Sequence, residues 1–420
     1  MQKQGKKDLS DSALLNLVQK QTFKYFWDFA HPVSGMARER SNQSFGYGNE
    51  TVTTGGTGFG IMSVIVATER KWITRDTAAK FMLKMVNFLL KANSYHGAFP
   101  HWMDGSTGKT IPFSRKDDGA DLVETSYLFE GLLCARQYFN EDNRIERELR
   151  SRIGWMWTGI EWNWFTREGQ DVLYWHWSPN NGWAMNFAVR GFNECLIMYI
   201  LAASDEEHYP VPASVYHKGW AQSNFFKNGK EFYGYKLPLG FDYGGPLFFS
   251  QYSFLGLDPR GLKDRYADYW EQNKNHTLIN HAYCIDNPKK FKGYGENCWG
   301  LTASDTYNGY NAFSPTNDEG TITPTAALSA FPYTPEFSMK ALKHFYYDMG
   351  DNTWGEYGFK DAFNETKNWF ASSYLAIDEG PIVAMIENYR SGLLWKLFMS
   401  CPEIQGGLKK LGFESPWIKK

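Results

Sequence analysis

Several things are scarce in this sequence, and each scarcity excludes something. Cysteine occurs only five times in 420 residues, at 134, 195, 284, 298 and 401. An odd number without tight spacing is not a disulfide framework. Cys134 and Cys195 fall within apolar helical patterns and read as small core residues, while pairing of Cys284 with Cys298 stays open. Neither sign of charge is in excess, with 44 Lys and Arg against 46 Asp and Glu, a net of −2. No basic surplus exists to displace counterions from phosphates, so a nucleic-acid partner is not expected. No run of 18 apolar residues occurs, so no membrane-spanning helix is expected. The stretch MQKQGKKDLSDS lacks the apolar centre of a secretory leader, which leaves cytosolic and exported locations both open.

Known phosphate, nucleotide and metal motifs are missing too. GSTGKT at 105–110 is P-loop-like, but Met103 stands where the first glycine belongs. TGGTGFG at 54–60 lacks the third glycine of a dinucleotide fingerprint and no strand is expected before it. It reads as a tight entry to a helix, where small residues let backbones approach. Neither HExxH nor GxSxG occurs. His276 and His281 are five apart and do not share a helix face; with Cys284 and Cys298 they fit no zinc spacing, and they read as helix-surface histidines. No metal and no cofactor is therefore expected.

What the sequence has in plenty is aromatic side chains: 17 Trp, 25 Tyr and 31 Phe, or 17% of the chain. That excludes a disordered chain. Aromatics in such number pack cores, or line clefts that stack on flat apolar faces such as those of sugar rings. Phe26, Phe88 and Phe129 lie at helical spacing and read as core. The dominant period is helical throughout, with segments at about 120–139, 142–161, 188–203, 212–222, 247–255, 264–285, 324–331, 336–349 and 380–399 among twelve in all. Strands are few, such as 231–237, and read as hairpins inside loops. Long loops rich in Gly, Trp, Tyr, Asn and Asp recur after every second helix. Loops of such length in a compact chain are functional as a rule. No low-complexity linker divides the chain. The expectation is all-α: an (α/α)6 barrel in one domain over 1–420, with long loops forming a cleft on one face.

Carboxylates supply the chemistry. Asp117, Asp121 and Glu124 are spaced i, i+4, i+7, which on a helix is one face, and like charges there repel. Capping by Asp117 or Asp118, with Asp121 in the first turn, explains two of the three positions but not Glu124. Glu194 lies in the apolar RGFNECLIMYILAAS, where an i, i+4 pair with Arg190 is the plain alternative. Asp378 and Glu379 precede GPIVAMIENYRSGLLW, and N-capping would account for Asp378. Glu387 and Arg390 read as a structural ion pair. Crowded carboxyls raise one another's pKa, so one stays protonated as an acid while another activates water or attacks, as glycoside hydrolysis requires. Trp102, Trp175, Trp177, Trp183, Tyr294 and Trp299 all fall in predicted loops as candidate ring platforms. His101, Arg115 and Asn297 are candidate partners for sugar hydroxyls.

Four segments, DDGADLVETSYLFEGLLCARQYF, GYGENCWGLTASD, GTITPTAALSAFPYTPE and AIDEGPIVAMIENYRSGLLWK, resemble the glucoamylase-like family, glycoside hydrolase family 144, over about residues 15–400. The resemblance implies an (α/α)6 barrel and an inverting hydrolase of β-1,2-glucan, in bacteria that export it to the periplasm or cell surface. It places the essential acids at Asp117, Asp121 and Glu124, with Glu194 and Asp378 as further candidates. Glu379 stands where many relatives are expected to carry Gln. The combined expectation is a monomer that cleaves β-1,2-glucan internally or releases sophorose, with Glu194 as the acid. Hydrolysis of another β-glucan linkage, a polysaccharide lyase and a non-catalytic glycan-binding protein are the alternatives. An acidic cluster speaks against a lyase, which would want a basic cleft.

Overall fold

A computed structural model describes residues 8–42 and 48–418. Residues 1–7, on which the leader reading partly rests, lie outside the described residues, as do 43–47 and 419–420. Helices alternate with loops: α1 (Asp11–Trp27), α2 (Thr54–Glu69), α3 (Arg75–Leu89), α4 (Leu122–Tyr138), α5 (Arg144–Thr158), α6 (Leu196–Ser204) and α7 (Tyr269–Asp286). They continue with α8 (Pro324–Leu328), α9 (Pro335–Lys343), α10 (Gly350–Thr353), α11 (Ala376–Arg390), α12 (Leu393–Met399) and α13 (Pro402–Lys410). Start signals are those the sequence chemistry calls for. Ser10, Thr74, Asn143 and Asp268 cap their helices with side-chain oxygens, and α8, α9 and α13 open on proline.

The helices are of two kinds by burial. In α2, every residue from Thr54 to Thr68 is buried; so is every residue of α4 from Leu122 to Ala135 and all of α6. A helix apolar on all sides belongs inside. By contrast α3 and α5 bury one stripe each, Met82, Met85, Val86 and Leu89 in the first, Leu149, Ile153, Met156 and Trp157 in the second. The buried elements are joined one to the next. α2 packs on α4, α4 on α6 and α11 on α2. Ser253 accepts from the Ile197 N–H at 3.0 Å, Gln251 donates to the Ala326 carbonyl at 2.9 Å, and Thr325 donates to the Asp378 carbonyl at 2.7 Å.

Glycine sets the tightest crossing. A Cβ on Gly58 would lie 2.1 Å from the Tyr127 carbonyl oxygen, and one on Gly131 would lie 2.2 Å from that of Gly58. The Gly-rich 54–60 stretch is thus the first turns of α2, as the close-approach reading expects. A short strand, Thr51–Thr53, does precede it, paired with Trp102–Asp104.

Other expectations change. The helix expected over 188–203 begins only at Leu196; 212–222 is a short π-helical turn, Val215–Ala221; and 247–255 is two 3-10 turns, Leu247–Ser250 and Tyr252–Phe254. The stretch 380–399 divides at Gly392, whose φ of 69° is left-handed. Short antiparallel ribbons occupy the loops, Glu231–Phe232 with Tyr235–Lys236 among them. Glu387 pairs with Arg70 at 2.9 Å, while Arg390 donates to the Gln19 carboxamide. His276 and His281 are not surface groups. Both are buried, His276 between the Ser250 hydroxyl and the Gly245 carbonyl, His281 against the Glu296 carbonyl. All five cysteines are buried free thiols.

Candidate active site

Asp121 organises the site. It ends a two-residue strand, paired with His176, and caps α4. Its Oδ1 accepts from the Glu124 N–H at 2.9 Å and from the Trp175 indole at 2.8 Å, while Oδ2 faces His101 Nδ1 at 3.0 Å. Burial alone would raise its pKa, yet His101, His176 and the Glu124 N–H together hold it below the ordinary value. Asp121 itself is the cap, so the reading that gave capping to Asp117 or Asp118 is corrected. Asp117 sits in the preceding turn with Oδ2 3.4 Å from His176 Nε2. Burial, then the Asp121 charge, push Asp117 up to about 7.

Glu124 follows in the first turn of α4, and its Oε2 accepts the Gly55 N–H at 2.8 Å. A Cβ at Gly55 would lie 2.4 Å from that oxygen, so the position must be glycine for the contact to form. Burial and the Asp121 charge raise Glu124 to about 7, with His101 opposing. For His101, burial disfavours the cation, but Glu124, Asp121 and Asp117 outweigh it and lift the imidazolium to about 9.

Glu194 arrives from another quarter. It stands in the turn ahead of α6 rather than on the helix, with its carbonyl accepting from Tyr127 and Ser253. Arg190 donates instead to the Gly219 carbonyl, so the expected i, i+4 pair does not form. Glu194 Oε2 is buried without a partner, and burial pushes the carboxyl up to about 7. Glu124 and Glu194 line one cavity of about 310 Å³, together with Trp102, Phe113, Trp175, Phe248, Tyr252 and Tyr310.

Asp378 lies within the first turn of α11 and caps nothing; Leu375 holds the cap position. No N–H or hydroxyl group donates to its oxygens, and its carboxyl hydrogen-bonds that of Asp361. Burial lifts it to about 8. Asp361 and Glu379 are likewise raised by burial.

The expected platforms separate. Trp102 and Trp175 line the cavity. Trp177 and Trp183 instead pack with Trp164, beside His96, in a cluster of their own. Trp299 is fully buried against His281, Tyr294 donates to Asp318 at 2.7 Å, and Asn297 and Arg115 are exposed outside the cavity lining. Loop position alone does not separate a cleft ring from a core ring, because loops of this length fold back into the protein. Sequence reasoning missed His176, Tyr127, Tyr252, Phe248 and Tyr310. His176, flanked by two tryptophans, carried a readable signal; the tyrosines did not.

His101, Asp117 and Asp121 each bring an atom within 4.8 Å of the others, a set that could hold a metal ion. The protein's own hydrogen bonds already tie this set together, with Asp121 accepting from the Glu124 N–H and the Trp175 indole and facing His101 Nδ1.

The Glycoamylase family model, described as "Putative glucoamylase", matches residues 186–402. A solved structure from Bacteroides uniformis, named a putative glucoamylase, shares 64% identity, covering 99% of this chain and 100% of that one, with a TM-score of 0.96. The endo-β-1,2-glucanase of Chitinophaga pinensis, solved with sophorotriose and glucose, shares 57% over 98% of this chain and 100% of that one, with a TM-score of 0.94. The exo β-1,2-glucooligosaccharide sophorohydrolase (non-reducing end) of Parabacteroides distasonis is 45% identical over 96% of this chain. This chain spans 58% of the length of that curated relative. On these matches the chain belongs to the glycoamylase, or glucoamylase-like, family that its four long motifs resemble.

Proposed function

We propose that this protein is a glycoside hydrolase that cleaves β-1,2-linked glucan, with Glu194 as the general acid. One observation carries the reading. Glu194 and Glu124, both with pKa raised to about 7, face a single cavity walled by aromatic rings. A carboxyl near 7 is half-protonated at neutral pH, which suits proton donation to a leaving oxygen. The acidic set Asp117, Asp121 and Glu124, with Asp378 beyond it, is the source of the group that activates water. Trp102 and Trp175 take the flat faces of the sugars. The names of the relatives support the β-1,2 linkage.

The alternation of wholly buried with one-sided helices, and the links from each buried element to the next, support an (α/α)6 barrel in one domain. An inverting mechanism needs acid and base roughly 6.5–9.5 Å apart, or further with a water or substrate hydroxyl as relay. The test is a product profile on linear β-1,2-, β-1,3- and β-1,4-glucans. Oligosaccharide release from the β-1,2 polymer is expected. Release only from another linkage would overturn the substrate, and release from none would leave a glycan-binding protein.

A further inference from the structure

We propose that a track of aromatic rings leading out of the cavity to Phe241 and Phe225 binds the glucan chain beyond the reacting sugars. The proposal rests on the β-glucan reading above.

The track begins in the cavity wall. Tyr252 and Phe248 line the cavity and stack with centroids 5.0 Å apart. Phe249 meets Phe248 edge-on at 4.8 Å, Phe241 follows at 6.3 Å, and Phe225 stacks on Phe241 at 5.2 Å. Exposure climbs along the series, from 6% at Tyr252 to 41% at Phe241 and 65% at Phe225. Scattered exposed aromatics need no explanation. A run of contacting rings that starts in a cavity wall, passes through half-buried Phe248 and Phe249 and ends on two exposed rings is a different matter.

Local backbone supports the same end of the track. Phe225 has φ 65°, in the left-handed region, where a bulky side chain is strained. Its carbonyl is engaged by the Phe192 N–H, and Gly191 lies against it. Beside the ring, Gln222, Ser223, Asn224 and Lys227 line an open polar recess. A sugar offers an apolar C–H face and a rim of hydroxyls. Exposed rings next to amide, hydroxyl and ammonium groups match both. The occupant is thus the same glucan chain, continued from the cavity.

The experiment measures kcat and KM for Phe225→Ala, Phe241→Ala and Phe225→Tyr on polymeric β-1,2-glucan and on a β-1,2-linked trisaccharide. Both alanine variants are expected to raise KM on the polymer by roughly two- to tenfold, with kcat held, the size of one lost ring contact. The polymer-to-trisaccharide ratio of kcat/KM falls by the same factor, and Phe225→Tyr restores it. An unchanged ratio in the alanine variants overturns the proposal. So does an equal loss on both substrates, which marks the rings as structural. Hydrolysis of neither substrate by the unsubstituted protein overturns the reading beneath it, a result distinct from hydrolysis with an unaltered ratio.

Discussion

His101 Nδ1 lies 3.0 Å from Asp121 Oδ2, joining the residue ahead of the Trp102–Asp104 strand to the cap of α4. The pair gives a pH signature. His101 is raised to about 9, so its contribution to stability is complete below its ordinary value near 6.5 and is lost as pH rises through 9. Chemical denaturation between pH 6 and 10 should show this decline, at most about 3 kcal/mol. In Asp121→Asn the decline should shrink, and activity should fall with it, because the amide cannot serve His101, Trp175 and the Glu124 N–H together.

The crossing of α2 and α4 sets the distance from Gly55 to Glu124. Gly58→Ala places a methyl 2.1 Å from the Tyr127 carbonyl oxygen. It should destabilise the protein by about 3 kcal/mol or more and reduce activity by shifting Glu124. Gly154→Ala, in α5 with nothing within 4 Å, should stabilise by roughly 0.5–1 kcal/mol. Urea denaturation of the two variants checks the contrast.

The pH dependence of hydrolysis follows from the raised carboxyls. Above pH 7 Glu194 loses the proton it must donate; below 7 Asp117 and Glu124 are protonated and serve poorly as bases. A bell centred near 7 is expected for kcat/KM, its limbs belonging to the coupled set. An aryl sophoroside with a good leaving group needs no acid, so its alkaline limb should flatten.

Buried Asp361 and Asp378 meet carboxyl to carboxyl, and no N–H or hydroxyl donates to Asp378. Asp378 is raised to about 8, so its favourable contribution is present below 3.8 and disappears as pH rises to 8. Asp361→Asn gives Asp378 an amide donor. It should raise stability by roughly 1–3 kcal/mol at pH 8 and by less at pH 4, read from melting curves at the two values. Equal change at both would contradict a shared proton.

Much of this was legible in the sequence, for reasons that differ by residue. The glycine-rich entry announced α2 and the apolar LIMYILAA run announced α6, and Phe26 and Phe129 sit in the core as their spacing indicates. The cluster of Asp117, Asp121 and Glu124 was visible too, but the geometry was not. The three meet through a cap and a turn, not along a helix face. Glu194 was visible as a carboxyl in apolar company; that it sits in a turn depends on Ser253 and Tyr127, 59 and 67 residues away. Trp299 misled because its burial comes from α7 through His281. Long-range partners of this kind leave no local pattern.

The most direct measurement is the turnover of β-1,2-glucan by Glu194→Gln. Glu194 Oε2 has no partner in the protein, so the substitution should leave the melting temperature close to that of the parent. The account predicts a fall in kcat of roughly 10²–10⁴-fold. Unchanged hydrolysis by a folded Glu194→Gln protein would contradict it and remove this residue from the chemistry.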